Sequence, residues 1–509
     1  MTPLLFLLAF GISVESARIL AFFPVPFPSH HFIFRPVIEG LAQKGHQILY
    51  VTGFPYKESP NNIDQIIIRY NVSELRDGIT DFQKMPERTI LQSMDDMYKI
   101  SVIMSRYSVG SKEVQDLIHS DQKFDAVMFE SYFYHEFVSA LIHKFNAIGI
   151  EVMSLGDNAW VNEMSGLPDN PSYQLDFKSG LSNDMSFWQR LYNTYVTGVT
   201  TIAGYYYLHF LMQPIMDKYF NYTGWESRPS IDVLARNRSL ILVNFDYLFG
   251  YPYPVAPHRK DIGGINIKPN EVLPKDLQTF MDESKEGVIF MSLGSHIDAK
   301  YLKEQMNAFL EVFKELPQRV LMKYEPEDES QVPPNVKLSK WFPQQDILAH
   351  KNCILFITHG GLLSLAEATY HGLPLVGIPI LADQAKNLAF VESQGFGRML
   401  GLNNVTKETV SWTVQEVLSN SRYREEALRR SKIFKDRRQT PAEEAVYWVE
   451  HSLKYPFALT PESTKFSAVV LHMLYIKLFI TLVFFLAIYI LYSVIKVVKT
   501  LTCKTKRKK

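Results

Sequence analysis

The stretch from Trp341 to Gln384, WFPQQDILAHKNCILFITHGGLLSLAEATYHGLPLVGIPILADQ, gathers side chains able to hold an anionic, hydroxyl-rich ligand. Asn352 to Thr358 is a short apolar run closed by His359-Gly360-Gly361, the pattern of a buried parallel strand ending in a tight turn. Leu362 to Tyr370 follows with helical spacing. Glycines in such a turn let the backbone approach a ligand closely. The helix start adds unpaired N–H groups and about +0.5 of a charge, which makes a ready phosphate site. His359 could donate to a phosphate oxygen, and Glu367, two turns on, could accept from ribose hydroxyls. Asp383-Gln384 open the next helix after the run Leu375 to Ile380, where they could hold sugar hydroxyls. Near the start of the chain, the turn PVPFPSH ends at His30, behind the apolar run Arg18 to Phe23. A histidine at a strand's C-terminal end, in the turn before a helix, lies on the crevice side of an open α/β sheet and is placed to face a ligand. His31 is adjacent, and spacing alone does not choose between them. Glu130 ends a further run, Phe124 to Phe129. A carboxylate beside an imidazole fixes its tautomer and stabilises the imidazolium. Asp125 is the weaker alternative because it starts that run.

The elements that must position these groups are α/β throughout. The 509 residues suffice for two α/β domains plus extra segments. Arg18 to Thr52 reads as a βαβ unit, its helix closed by Gly45-His46. Asn244 to Pro257, rich in Pro and aromatics, reads with Gly263-Gly264 as an interdomain linker. A second αβ pattern begins at Gly287 and ends its first strand in Gly294-Ser295, another turn suited to a phosphate. From Gln384 to Leu453 the chain is helical and charged. The resulting division is 1–16, 17–250, 251–460, 478–495 and 496–509.

Met1 to Ser16 reads as a secretory signal peptide, with an uncleaved anchor as the alternative. Leu478 to Ile495 carries no charge and reads as a transmembrane helix. Lysines bracket it, and the tail beyond is basic without an acid, which puts the tail in the cytosol and the domains in the lumen. Leu191 to Met216 is also uncharged, but a span there would separate His30 from His359 and split the sequons at Asn71, Asn221, Asn237 and Asn404. Helices with an aromatic face (Tyr205, Tyr206, Tyr207, Phe210) packed in the first domain are expected instead. Cys353 and Cys503 should lie on opposite sides of the membrane, unpaired. Formal net charge is zero, so there is no nucleic-acid footprint.

Trp341-x-Pro343-Gln344, His359-Gly360-Gly361, Ser364, Glu367 and Asp383-Gln384, with HGLPLVGIP between them, resemble the signature of the UDP-glycosyltransferase family. The resemblance implies a GT-B fold: two facing Rossmann-like domains, the first binding an acceptor and the second a UDP-sugar. It implies that Trp341 stacks on uracil and Gln344 contacts the base or ribose. His359 and the Gly361 backbone would meet the diphosphate, with Ser364 nearby and Ser295 a further candidate contact. Glu367 would bind ribose, and Asp383 and Gln384 the sugar. Family members place Ser-His before the first helix and Gly-His after it, which assigns the base to His30 rather than His31. Glu130 stands where most vertebrate members carry Asp, and Leu363 departs from the Asn of plant members. The last helix, at Ala445 to Leu453, would cross back to brace the first domain.

The implied reaction is inverting transfer of a hexose to a hydroxyl of a small lipophilic acceptor. PSHHFIFRP looks most like insect members, which points to UDP-glucose. No Asp-x-Asp occurs, so no metal is invoked, and no cofactor is expected beyond the UDP-sugar co-substrate. The terminal Lys506-Arg507-Lys508-Lys509 resembles an endoplasmic-reticulum retrieval signal. Two other readings stay open: a non-catalytic lumenal binder of lipophiles, and a glycosyltransferase acting on a membrane lipid. A homo-oligomer is also left open.

Overall fold

The computed structural model describes residues 16–71, 73–75, 88–133, 135–156, 158–294, 302–326, 330 and 332–506. The signal-peptide segment (apart from Ser16), Ser295 and residues 507–509 lie outside the described residues.

Among the described residues the first sheet has seven parallel strands. They are β1 (Arg18–Phe23), β2 (Gln47–Thr52), β3 (Ile63–Ile67), β4 (Ala126–Phe129), β5 (Ile148–Met153), β6 (Leu240–Val243) and β7 (Arg259–Asp261). Their order is β3-β2-β1-β4-β5-β6-β7. The second sheet holds β8 (Val288–Ser292), β9 (Arg319–Lys323), β10 (Val336–Ser339), β11 (Cys353–Thr358), β12 (Leu375–Gly377) and β13 (Gly397–Met399). Its order is β10-β9-β8-β11-β12-β13, again parallel. Apolar runs form these strands because both faces of each sheet are covered. Ile19, Ala21 and Phe23 point into one core layer and Leu20 and Phe22 into the other. In the second sheet Phe290 and Phe356 face one layer, and Ile289, Met291 and Ile357 the other.

Only helices used below carry labels. They are α1 (Pro28–Gln43), α2 (Ile90–Tyr107), α3 (Ala159–Met164), α4 (Phe187–Tyr206), α5 (Leu362–His371), α6 (Gln384–Ser393), α7 (Pro441–Lys454) and α8 (Leu474–Lys506). Pro28 opens α1 with its fixed φ, and Ile33, Phe34, Val37, Ile38 and Leu41 bury one face. Gly45, at φ +96°, stops the helix and turns the chain into β2. α7 returns from the second domain and inserts Ala445, Val446 and Val449 into the first domain's core. Gly40 makes room for it: a Cβ there would stand 2.6 Å from Val446 Cγ2.

Three features differ from the sequence reading. β7 belongs to the first sheet although it follows the expected boundary at 250/251. Its residues, Arg-Lys-Asp, carry no apolar pattern; it is a three-residue edge strand held by backbone pairing to β6. The chain therefore passes to the second domain after Asp261, at the Gly263-Gly264 part of the expected linker. In α4, Tyr207 just beyond the helix is buried and Tyr205 half-buried, but Tyr206 and Phe210 face outward. The helical period sets them opposite Thr200 and Gly204, which pack inward. Finally, α8 contains 478–495 but runs further at both ends. Among the described residues it is the one helix long and apolar enough to cross a membrane, over Leu474–Leu501.

Candidate active site

Strand order reverses between β1 and β4 in the first sheet, and between β8 and β11 in the second. Ligands bind outside the C-terminal strand ends at such a switch point. His30 follows β1, and Glu130 follows β4 directly, so both stand at the first switch point. Gly294 follows β8 and His359-Gly360-Gly361 follow β11, so they stand at the second.

His30 lies in the first turn of α1 and is buried. Its Nδ1 is 2.8 Å from Glu130 Oε2. A carboxylate only accepts, so Nδ1 carries the proton and Nε2 keeps its lone pair for an incoming hydroxyl. Glu130 is itself fixed by Ser154, whose backbone N–H donates to Oε1 at 2.9 Å and whose hydroxyl donates to the same oxygen. Ser154 Oγ is also 2.6 Å from His30 Nδ1. Sequence reading missed Ser154. The signal was available, because it follows β5 as Glu130 follows β4.

His31 is a different group. Its Nε2 is 2.6 Å from the Val25 carbonyl, so that nitrogen donates, and its Nδ1 accepts from the Tyr50 hydroxyl. Burial pushes its pKa down to about 3. Both nitrogens are committed to the fold, whereas the His30 ring gives Nδ1 to Glu130 and Ser154. Asp125 is also excluded as the partner: its Oδ2 accepts the Arg18 N–H at 2.7 Å, at the opposite end of the strands.

In the second domain the His359 ring occupies a slot between two glycines. A Cβ at Gly294 would stand 2.8 Å from its Cε1, and one at Gly361 would stand 2.7 Å from its Nε2. Gly360, at φ +85°, makes the turn, and Gly361 is the N-cap of α5. Glu367 is buried on α5 and accepts from Gln344 Nε2 at 2.7 Å, Asn266 Nδ2 at 2.9 Å and Gln345 Nε2 at 3.2 Å. Burial raises its pKa to about 7. Gln344 also donates to Ser364 Oγ at 3.2 Å, so Gln344, Ser364 and Glu367 form one cluster. Asn266 and Gln345 join it without having been foreseen; Asn266 comes from the interdomain connection, 101 residues away from Glu367. Trp341 is 63% exposed, an indole face on the surface with the Lys323 ammonium 5.2 Å from its ring centre.

Asp383 and Gln384 open α6. Asn387, one turn on and also unforeseen, donates to Asp383 Oδ2 at 2.9 Å and to the Gly360 carbonyl at 3.0 Å, tying this helix to the Gly-Gly turn. The Gln384 carbonyl accepts from the Ile380 and Leu381 N–H groups at 2.8 and 2.9 Å, leaving its amide N–H groups to offer. Burial pushes the Asp383 carboxyl up, while Asn387 and, more weakly, Lys386 and His30 pull it down. Tyr132, Phe177, Phe249, Leu362, Asp383 and Asn387 line one cavity between the domains. Tyr132, whose ring is 6.2 Å from that of His30, and Asp383 thus face one cavity between the domains.

Two Rossmann-like domains facing across such a cleft, with a His–carboxylate pair on one wall and a glycine-turn helix start on the other, define a glycosyltransferase of the GT-B fold. A crystal structure titled as the glycotransferase of kitacinnamycin superposes with a TM-score of 0.58 at 17% identity, covering 86% of this chain and all of that one. The family model for UDP-glucoronosyl and UDP-glucosyl transferase matches residues 20–509, and the chain belongs to that family. UDP-glucosyltransferase 2 of Dactylopius coccus is 33% identical over 458 residues, 89% of this chain and 87% of that protein. The 2-hydroxyacylsphingosine 1-beta-galactosyltransferase of Rattus norvegicus is 28% identical over 465 residues, 89% of this chain and 83% of that one. The protein is a UDP-glycosyltransferase enzyme.

Proposed function

We propose that the chain transfers a hexose, from UDP-glucose, to the hydroxyl of a small lipophilic acceptor with inversion at the anomeric carbon. The observation that carries this reading is His30, its Nδ1 held by Glu130 at 2.8 Å and its ring 6.2 Å from Tyr132, which lines the interdomain cavity together with Asp383. His30 Nε2 takes the acceptor proton as the oxygen attacks, while Glu130 stabilises the imidazolium formed. A positioned base of this kind contributes about 10²–10⁴-fold. Trp341 stacks on uracil, Gln344 and Glu367 hold the ribose side, and Asp383 and Gln384 hold the sugar. Ser364, Ser295, His359 and the N–H groups at Gly361 take the diphosphate, where preorganised dipoles stabilise the leaving charge. Attack from the face opposite UDP gives the inverted product. These side chains suffice without a metal or a further cofactor. The pocket we assign to the acceptor is lined by Met94, Met97, Trp160, Val161 and Phe177 next to Tyr132, with Ser131, Asn158, Lys178 and Thr200 among them. The apolar helix α8, the one such helix among the described residues, and the basic tail support a type I anchor in the endoplasmic reticulum, with the catalytic domains lumenal.

The test uses microsomes holding the chain, a simple phenol, and UDP-glucose, UDP-glucuronate or UDP-galactose in separate incubations, with product detected by mass. A hexose adduct from UDP-glucose is expected. His30→Ala should lower turnover by about 10²–10⁴-fold with UDP binding nearly unchanged. Normal turnover in that variant overturns the base assignment.

A further inference from the structure

The pocket assigned to the acceptor takes lining residues from α2, α3 and α4, and two of its donors have no match in the fold. Lys178 is the first, the one charged residue among the described residues that line it. Its ammonium stands 5.0 Å from the centre of the Phe177 ring and makes no ion pair among the described residues. Asp176, two residues before, is fully buried and does not line the pocket; its Oδ1 accepts the Lys178 backbone N–H at 2.9 Å. Burial pushes the Lys178 pKa down to about 8, with Asp176 opposing, so the side chain stays a cation at neutral pH.

Thr200, on α4 and 3% exposed, is the second. Its Oγ1 has no hydrogen-bond partner among the described residues. A threonine inside a helix ordinarily donates back to the carbonyl one turn before it. Thr194 of the same helix does so, to Arg190 at 2.8 Å. Elsewhere in the lining, the Ser131 hydroxyl is committed to Glu151, and Asn158 Oδ1 to the Trp160 N–H at 2.8 Å. The segment that carries Lys178 is held from both sides. Asn193 of α4 accepts the Asp176 N–H at 3.2 Å and donates to the Gln174 carbonyl at 2.7 Å. Lys386 of α6 donates to the Leu175 carbonyl at 2.9 Å. Phe177 lines both this pocket and the interdomain cavity that Asp383 lines. A cation is therefore fixed in a largely apolar lining beside the reacting end of the cleft. A charge withdrawn from water is costly unless an opposite charge meets it. A carboxylate matches an ammonium and a hydroxyl together, because it only accepts.

We propose that Lys178 and Thr200 form an anion subsite of the acceptor pocket, which selects a lipophilic hydroxy acid. Its carboxylate pairs with the Lys178 ammonium and accepts from the Thr200 hydroxyl. Its own hydroxyl, at the other end, passes Tyr132 to reach His30, whose ring is 6.2 Å from that of Tyr132. The inference rests on the transfer reading above, and the experiment reads the two separately.

The full chain in microsomes is given 6-hydroxy-2-naphthoate or the matching primary amide, with UDP-glucose, UDP-glucuronate or UDP-galactose. Product is detected by mass and by its stability to mild alkali. In the unaltered chain kcat/KM for the acid should exceed that for the amide by about tenfold, the scale of one charge-assisted hydrogen bond. Lys178→Met should bring that ratio to about one, Lys178→Arg should keep it, and Thr200→Val should lower it about threefold. Calorimetry on the solubilised chain with 2-naphthoate, which has no hydroxyl to glycosylate, reads the subsite without turnover; Lys178→Met should weaken that binding about tenfold. A ratio near one in the unaltered chain, with the amide well turned over, overturns the subsite and keeps the transfer reading. Equal losses for both acceptors in Lys178→Met overturn the subsite as well, because a merely structural lysine would give them. An alkali-labile product, an ester formed on the carboxylate, overturns it by placing the acid at His30. No product from either acceptor, with the naphthoate difference intact, overturns the transfer reading and supports the subsite. Absence of both overturns both.

Discussion

At Val25 and Tyr50 the His31 imidazole finds partners for both of its nitrogens, while His30, one residue before, gives only Nδ1 to Glu130. The same side chain therefore does two jobs, decided by what stands within 3 Å of each ring. The longer arm of Glu130 is accommodated in the same way: Ser154 holds Oε1 with its N–H and its hydroxyl, so Oε2 is presented to His30. His31 yields a stability prediction. Its folded pKa of about 3 lies below the ordinary 6.5. Below 6.5 the unfolded chain takes up a proton that the folded chain refuses. The contribution of neutral His31 is whole above 6.5 and is lost as pH falls toward 3. His31→Asn should cost about 2–3 kcal/mol at neutral pH through the hydrogen bonds it disturbs. Its midpoint in urea should then fall less steeply than that of the unaltered chain between pH 6.5 and 4.5. It should still turn over when folded, unlike His30→Ala. An equal acid slope in the two proteins would remove His31 from the account.

Strands deliver the site, and their ends were legible because apolar runs stop where chemistry begins. Phe124 to Phe129 ends at Glu130 and Asn352 to Thr358 ends at His359. β7 was not legible, because an edge strand of three polar residues has no apolar pattern; it is held by pairing to β6 and by distant partners such as Tyr253 for Arg259 and Trp448 for Lys260. The brace α7 depends on a single absent side chain. At Gly40, Ala would place its Cβ 2.6 Å from Val446 Cγ2, inside contact distance. Overpacking of this sort costs about 1–3 kcal/mol. Gly40→Ala should lower the denaturant midpoint and speed proteolytic release of the α7 end, and Val446→Ala on top of it should restore much of the loss. No recovery in the double variant would mean that the contact with α7 is not what Gly40 protects.

Across the whole molecule, two sheets, a returning helix and an exposed apolar helix fix how the enzyme sits. The four sequon asparagines, Asn71, Asn221, Asn237 and Asn404, are all exposed. They all precede α8, so a lumenal placement of the domains makes them accessible to glycosylation together. Endoglycosidase treatment of the chain from microsomes should increase its mobility on a denaturing gel. Unchanged mobility would contradict the lumenal placement. The same view explains why Leu191 to Met216 looked ambiguous: it is charge-free like a span, but one face is packed against Trp160 and lines the cavity next to Tyr132.

The sequence by itself determined the α/β class, the family, the strand ends that carry His30, Glu130 and His359, and the C-terminal apolar helix. Those are properties of short contiguous patterns: period, glycine turns, capping and length. Only the tertiary structure decided which histidine is bound up in the fold. It also decided that Ser154, Asn266, Gln345 and Asn387 complete the two half-sites, and that Tyr206 and Phe210 face outward. Each of those depends on contacts between segments far apart in sequence, or on which side of a helix meets a neighbour. No local pattern carries either, because a hydrogen bond such as that between Asn266 and Glu367, 101 positions apart, exists only once the chain between them has folded.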